Sequence, residues 1–190
     1  MPRIDKEKIA VGVRLILEGI GVPLDDPNFA ETPQRVADFY EELLSSKLTE
    51  EDYKYFSKYG DLVVVSGVRA HGLCPHHLLP VEYSVDIAYI PRDNVVGISK
   101  LVRVVLEEVK FPKLQEKFTE DLAKKVADLV GSDDVLVIVR GRHYCMVMRG
   151  VKKDATVITT AARGRFKTPE LRLEVIRVIE LSGQLPQARV

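Results

Sequence analysis

Residues 62–90 read LVVVSGVRAHGLCPHHLLPVEYSVDIAYI, and this stretch decides the fold. Glu82 to Ile90 largely alternates and stops at the turn signal Pro91-Arg92-Asp93-Asn94, as a strand lying half in a core does. Leu62 to Val68 is valine-rich and predicts a second strand, antiparallel to the first. The connection between them carries Cys74-Pro75-His76-His77, so residues with chemistry to offer sit where a strand pair turns.

Working outward, Lys6 to Glu18 predicts an amphipathic helix with Ile9, Val13, Ile16 and Leu17 at helical spacing, ended by Gly19 and Gly21. Thr32-Pro33 opens a second, Thr32 as N-cap, with Val36, Phe39, Tyr40, Leu43 and Leu44 as its buried stripe. A short third helix starts at the Thr49 cap. Beyond residue 90, Ser99 caps a helix to about Lys110, Phe111-Pro112 interrupts, and a further helix runs from Lys113 to Val130, stopped by Gly131. Val135 to Val139 and Tyr144 to Val151 form another strand pair that Thr156 to Ala161 extends, and Thr168-Pro169 caps a last helix to about Leu181. The order is α+β: helices, strand pair, helix pair, strand pair, helix. Residues 1–60 are expected as an N-terminal helical region, 61–182 as the catalytic region of the same single domain, and 183–190 as a frayed tail.

Both cysteines of the chain stand beside histidine, in Cys74-Pro75-His76-His77 and His143-Tyr144-Cys145, and three of its four histidines lie there. Zinc takes thiolate and imidazole ligands, and a catalytic site uses three of them and leaves a fourth position for water. Cys74, His77 and Cys145 supply three, leaving His76 and His143 as imidazoles able to move protons. Two other readings stand beside this one: buried apolar thiols with a solvated His-His pair, or a Cys74–Cys145 disulfide. No apolar leader precedes the chain, so a reducing cytosol is expected and free thiols are favoured.

Composition narrows the function classes. The 190 residues are 46% hydrophobic, enough for one ordinary domain. The 28 basic and 28 acidic residues cancel, so no net field draws nucleic acid or an anionic membrane, and an anionic ligand has to be held by a local cluster. No apolar run is long enough to span a bilayer. Two local clusters qualify. If residues 143–149 are extended, His143, Cys145, Val147 and Arg149 share one face. Lys100 and Arg103 share a face near the start of a helix, where free N–H groups suit a phosphate; solvated surface is the competing reading of both clusters.

Taken together, Cys74-Pro75-His76-His77-Leu78-Leu79-Pro80, Ala88-Tyr89-Ile90-Pro91, Gly97-Ile98-Ser99-Lys100-Leu101, Leu114-Gln115-Glu116 and His143-Tyr144-Cys145-Met146-Val147-Met148-Arg149-Gly150 resemble GTP cyclohydrolase I. Glu31-Thr32-Pro33 with Arg35 resembles that family's N-terminal region, and the resemblance runs from about residue 5 to residue 180. It implies a tunnelling fold whose subunits close into a ring, a homodecamer with active sites between subunits, in the cytoplasm. It implies zinc, or ferrous iron, on Cys74, His77 and Cys145; guanine recognition by Gln115 and Glu116; and triphosphate binding by Lys100, Arg103, Arg149 and Arg35. The implied reaction opens the guanine imidazole of GTP with His143 protonating nitrogen 7, releases formate, and rearranges the ribose near His76 and Ser99 into 7,8-dihydroneopterin triphosphate.

The sequence departs from the family pattern at Pro75, where a glutamate is usual, and at Lys110-Phe111-Pro112-Lys113, where an arginine-rich stretch is usual. Two other classes share some of these features. One is another tunnelling-fold pterin or deazapurine enzyme, such as a nitrile reductase with a cysteine nucleophile. The other is a non-catalytic zinc-stabilised module, which has no use for the spare His76 and His143.

Overall fold

The computed structural model describes residues 4–45, 55–57 and 60–183, and the chain divides into two compact units, Met1–Lys47 and Leu48–Val190. The helix expected at Thr49 and the tail beyond residue 183 lie outside the described residues.

In the first unit, α1 (Lys6–Gly19) packs on α2 (Thr32–Leu44). Asp5 caps α1 by accepting from the Lys8 N–H at 3.0 Å. At the other end Gly21, with φ 79°, lets the Val22 N–H reach the Leu17 carbonyl at 2.9 Å, a Schellman closure. The α2 cap is Glu31, one residue before the Thr32 expected, and the helix buries Pro33 and Ala37. Phe39 departs from the expected stripe and is 48% exposed. It lies about 200° around the helix from Ala37, so the two cannot face one partner.

The second unit is built on an antiparallel sheet in the order β2-β3-β5-β6: β2 (Val63–Leu73), β3 (Pro80–Tyr89), β5 (Val135–His143) and β6 (Thr156–Ala162). A small ribbon joins β1 (Tyr55–Ser57) to β4 (Asn94–Val96). Period-two alternation sorts the faces. Val81, Tyr83, Val85, Ile87 and Tyr89 of β3, with Val135, Val137 and Val139 of β5, meet Leu101 and Val105 of α3 (Ile98–Glu108) and Phe118, Leu122 and Val126 of α4 (Gln115–Val130). Ala88, Leu136 and Ile138 face the other way, against Phe166 in a 3-10 turn (Gly164–Lys167) and Val175 of the last helix. Each fully buried Leu or Phe contributes about 1.5–3 kcal/mol.

Two expectations are corrected here. β2 does not stop at Val68 but continues to Leu73, and before Val68 it carries a bulge in which Ser66 and Gly67 oppose Asp86. Asp86 is 2% exposed and accepts from Ser66 Oγ at 2.8 Å and the Gly67 N–H at 2.9 Å while pairing with Arg140, tying three strands in one register. The second correction concerns residues 144–151, which do not pair with 135–139. β5 runs on to His143 and pairs with β6, and Tyr144–Val147 forms a single helical turn, α5. The last helix, α6, is Pro169–Ser182, and Gly131 at φ 63° ends α4 as expected.

Candidate active site

The sheet register assembles the site. Leu73 pairs with Pro80 and Val81 with His143, so the 74–79 connection and the chain leaving β5 emerge side by side at one end of the sheet. The Cys74 N–H donates to the Leu79 carbonyl and the Leu78 N–H to the Cys74 carbonyl, both at 2.9 Å, closing the connection into a tight loop. Pro75 suits this loop, because its fixed φ matches an early turn position and it has no N–H to place. Leu78 adopts φ 52°, a conformation an L residue takes only when its surroundings impose it. The α5 turn, closed by the Met148 N–H to the Tyr144 carbonyl at 2.9 Å, carries Cys145 back towards this loop. His143, Cys145, Val147 and Arg149 therefore do not share a strand face; helical backbone replaces the expected alternation after His143.

Cys74 Sγ, Cys145 Sγ and a ring nitrogen of His77 lie within 4.8 Å of one another. Both cysteines are free thiols, which removes the disulfide reading. Cys74 Sγ stands 3.6 Å from His77 Nδ1, and a tetrahedral zinc with ordinary Zn–S and Zn–N bonds would separate those atoms by about 3.6 Å. Burial first, and then the neighbouring Cys74 thiol, push the Cys145 thiol up from its ordinary range. Two thiolates this close repel each other, and a cation between them relieves that repulsion, so the donor set fits a metal ion.

His143 is half-buried at the end of β5, its Nε2 2.8 Å from Gln115 Oε1 and its ring edge-on to Tyr83 with centroids 6.3 Å apart. Burial lowers its pKa, and the Glu116 carboxylate opposes that shift. The Tyr83 hydroxyl is pushed up to about 12 by burial, then by Cys74, Glu116 and Cys145. Gln115 and Glu116 open α4 and take opposite directions: Gln115 is 3% exposed and Glu116 faces solvent. The Gln115 amide donates to the Val139 carbonyl at 3.2 Å, the Val157 carbonyl at 3.0 Å and Thr159 Oγ1 at 3.1 Å. Its side chain is thus directed to protein partners, and Glu116 is the member of the pair that a ligand can meet.

Arg149, in the loop after α5, has its guanidinium against His77 Nε2, which places a cation beside the cysteine–histidine cluster. That loop is clasped to the sheet by Arg142, which donates to Asp154 from Nε at 3.0 Å and from Nη2 at 2.9 Å. Arg142 also reaches the Tyr144 hydroxyl at 3.1 Å, and Tyr144 in turn donates to Glu82 at 2.8 Å. Sequence reasoning missed Tyr83, Arg142, Tyr144 and Asp154. The alternation that places Tyr83 on the buried face of β3 was the available signal; Asp154 had none, since its partner is set by the strand register.

His76 is exposed, its ring centroid 6.1 Å from that of His77. Ser99 is not the N-cap of α3; Gly97 is, and Ser99 and Arg103 are exposed while Lys100 is 7% exposed. α3 begins just after β4, at the Tyr89 end of β3, and runs back until Val109 meets Gly72 beside the metal loop. Ser99 therefore lies about 15 Å along the helix from the end that reaches the cluster, with Lys100 next to it and Arg103 one turn closer. Arg35 is exposed on α2 of the first unit and pairs with Glu31 at 2.6 Å.

The family model for GTP cyclohydrolase I matches residues 9–180. A GTP cyclohydrolase 1 from Hyperthermus butylicus is 45% identical over 178 residues, covering 93% of this chain and 92% of that protein. One from Clostridium perfringens is 42% identical over 184 residues, covering 94% of this chain and all of its own. One from Carboxydothermus hydrogenoformans is 43% identical over 171 residues, covering 87% of this chain and 89% of its own.

Proposed function

The chain belongs to the GTP cyclohydrolase I family, and from that membership we propose that its site binds zinc and converts GTP to 7,8-dihydroneopterin triphosphate and formate in the cytoplasm. The observation that carries the reading is the convergence of Cys74, His77 and Cys145 at the sheet end where His143 and Glu116 also stand.

Cys74, His77 and Cys145 hold the metal, zinc by preference for two thiolates and an imidazole, with ferrous iron as the alternative. When bound, zinc supplies Lewis acidity that brings the pKa of a water to about 7. Glu116 accepts from the ring N–H and exocyclic amine of guanine, a pairing that adenine cannot offer. His143 delivers a proton to nitrogen 7 as carbon 8 takes up oxygen, and the imidazole ring opens. A second hydrolysis frees carbon 8 as formate, and one water returns when the pterin ring closes, so GTP and one water give formate and the product. His76 and Ser99 assist the ribose rearrangement. Arg149, Lys100 and Arg103 hold the triphosphate, with Arg35 of a neighbouring subunit as the fourth cation.

The position of α3 supports a site shared between subunits. Its first turn carries Ser99 and Lys100 at the far end of the sheet from the metal loop, so these residues serve a neighbouring copy's ligand, with Arg103 one turn further along the same helix. β2 and β6 are the two edges of the four-stranded sheet, and pairing edge to edge closes a ring, taken here to be a homodecamer. Residues 1–60 supply the N-terminal helical region, and 61–182 the catalytic region of the same domain. Light scattering tests the assembly. Incubating metal-loaded protein with GTP and identifying products by absorbance and mass tests the chemistry; the reading predicts a pterin triphosphate and fails if GTP is returned unchanged.

A further inference from the structure

We infer that Gln115 is a positioning residue: it fixes the His143 imidazole as its Nε2–H tautomer and leaves Nδ1 as the nitrogen that exchanges a proton with the ligand. The inference deepens the reading of His143 as the acid–base group and rests on it.

The acceptors around the Gln115 amide fix which end of it faces which partner. The Val139 and Val157 carbonyl oxygens, 3.2 and 3.0 Å away, can only accept, so the atom turned to them is the NH2 group. A chain of hydroxyls gives the same answer independently. Thr119 Oγ1 donates to the Gln115 backbone carbonyl at 2.7 Å, which places the Thr119 proton. Thr119 therefore accepts from Thr159 Oγ1 at 2.6 Å, which places the Thr159 proton in turn. Thr159 is then left to accept from the Gln115 amide at 3.1 Å. With the NH2 group so directed, Oε1 is the atom 2.8 Å from His143 Nε2, and an amide oxygen can only accept. Nε2 must carry the hydrogen.

The surroundings are shaped around that oxygen. Gly141 lies on β5 two residues before His143, and a Cβ built there would collide with Gln115 Oε1. Gln115 is 3% exposed, with acceptors on β5 and β6 and its backbone on α4, so three elements hold the carboxamide and the carboxamide holds the ring. A hydrogen-bond partner held this firmly sets both the tautomer and the ring plane of a histidine.

The test is a solid-state 15N spectrum of metal-loaded protein with labelled histidine in mildly alkaline buffer, His143 being assigned by its loss in His143→Asn. The expected spectrum has a protonated Nε2 and a bare Nδ1 at His143. In Gln115→Met the two tautomers should mix, and single-turnover ring opening of GTP should fall about tenfold or more, with metal content and GTP affinity retained. Gly141→Ala, which displaces the carboxamide without altering it, should reproduce both effects and serves if Gln115→Met does not fold. A parent spectrum with Nδ1 protonated overturns the assignment. So does a Gln115→Met enzyme that loses GTP affinity at an unchanged rate, since Gln115 would then be reading the guanine. A parent that shows Nε2–H but releases no formate upholds the tautomer and overturns the hydrolase reading instead.

Discussion

Val81 and His143 face each other across β3 and β5, and this rung explains how segments distant in sequence build one site. The loop before Val81 carries Cys74 and His77, and the turn after His143 carries Cys145, so the register that stabilises the sheet also sets the geometry of the cysteine–histidine cluster.

Cys74→Ser and Cys145→Ala are each expected to lose the metal and the activity while keeping the fold, because Cys74 and Cys145 stand at the margin of a core that the valine-rich sheet, α3 and α4 otherwise fill. Metal content by elemental analysis and far-UV dichroism check this. Full activity with a full complement of metal in either variant would remove that cysteine from the ligand set.

Glu116→Gln should weaken GTP binding by about 1.5–3 kcal/mol, roughly 10- to 150-fold in KM, with metal retained. The exposed carboxylate in the first turn of α4, close enough to influence His143, motivates this. Unchanged GTP kinetics would place guanine recognition elsewhere.

His143→Ala and Arg149→Ala should separate chemistry from binding. His143→Ala is expected to keep metal and GTP affinity while turnover falls by about 10²–10⁴. Arg149→Ala should weaken triphosphate binding by about 1.5–3 kcal/mol with a smaller effect on the bound-state rate. Binding and single-turnover measurements on both variants decide it; parental ring opening in His143→Ala contradicts the acid–base role.

The clasp between Arg142 and Asp154 gives a pH dependence. A hydrogen bond from Arg142 holds the Asp154 carboxyl below its usual 3.8, so the folded chain takes up that proton at lower pH than the unfolded chain. The clasp's contribution is present above the unfolded value and is lost as pH falls through the folded one. Thermal melts of parent and Asp154→Asn should therefore differ at neutral pH and converge in strong acid. A difference of the same size at both extremes would show that the carboxylate's charge is not its source.

Much of this was legible in the sequence, and what was not has physical causes. α1, α4 and β3 follow from apolar spacing and from the stops at Gly21, Gly131 and Pro91. The ligand triad was legible because thiols and imidazoles are scarce and clustered. The continuation of β2 past Val68 was hidden because Arg69-Ala70-His71-Gly72 lacks the β-branched residues that mark a strand, and the bulge at Ser66-Gly67 was hidden because Asp86 and Arg140, residues apart in sequence, hold it. Residues 144–148 carry Tyr144 and Val147, which suit a strand, yet fold as a helical turn that returns Cys145 to Cys74; that choice is made by tertiary contact rather than by the propensity of these two. The inward turn of Gln115 was equally invisible, since its partners come from β5 and β6, both distant from it in sequence.

The central claim is that this site removes carbon 8 of GTP by hydrolysis at a metal held by Cys74, His77 and Cys145. The most direct measurement follows GTP labelled at carbon 8 through incubation with metal-loaded and with chelator-treated protein, counting formate and pterin together. The account predicts one labelled formate for each 7,8-dihydroneopterin triphosphate from the loaded protein, none after chelation, and recovery when zinc is restored. Formate release that survives complete removal of the metal, or label retained in the nucleotide by fully loaded protein, would contradict it.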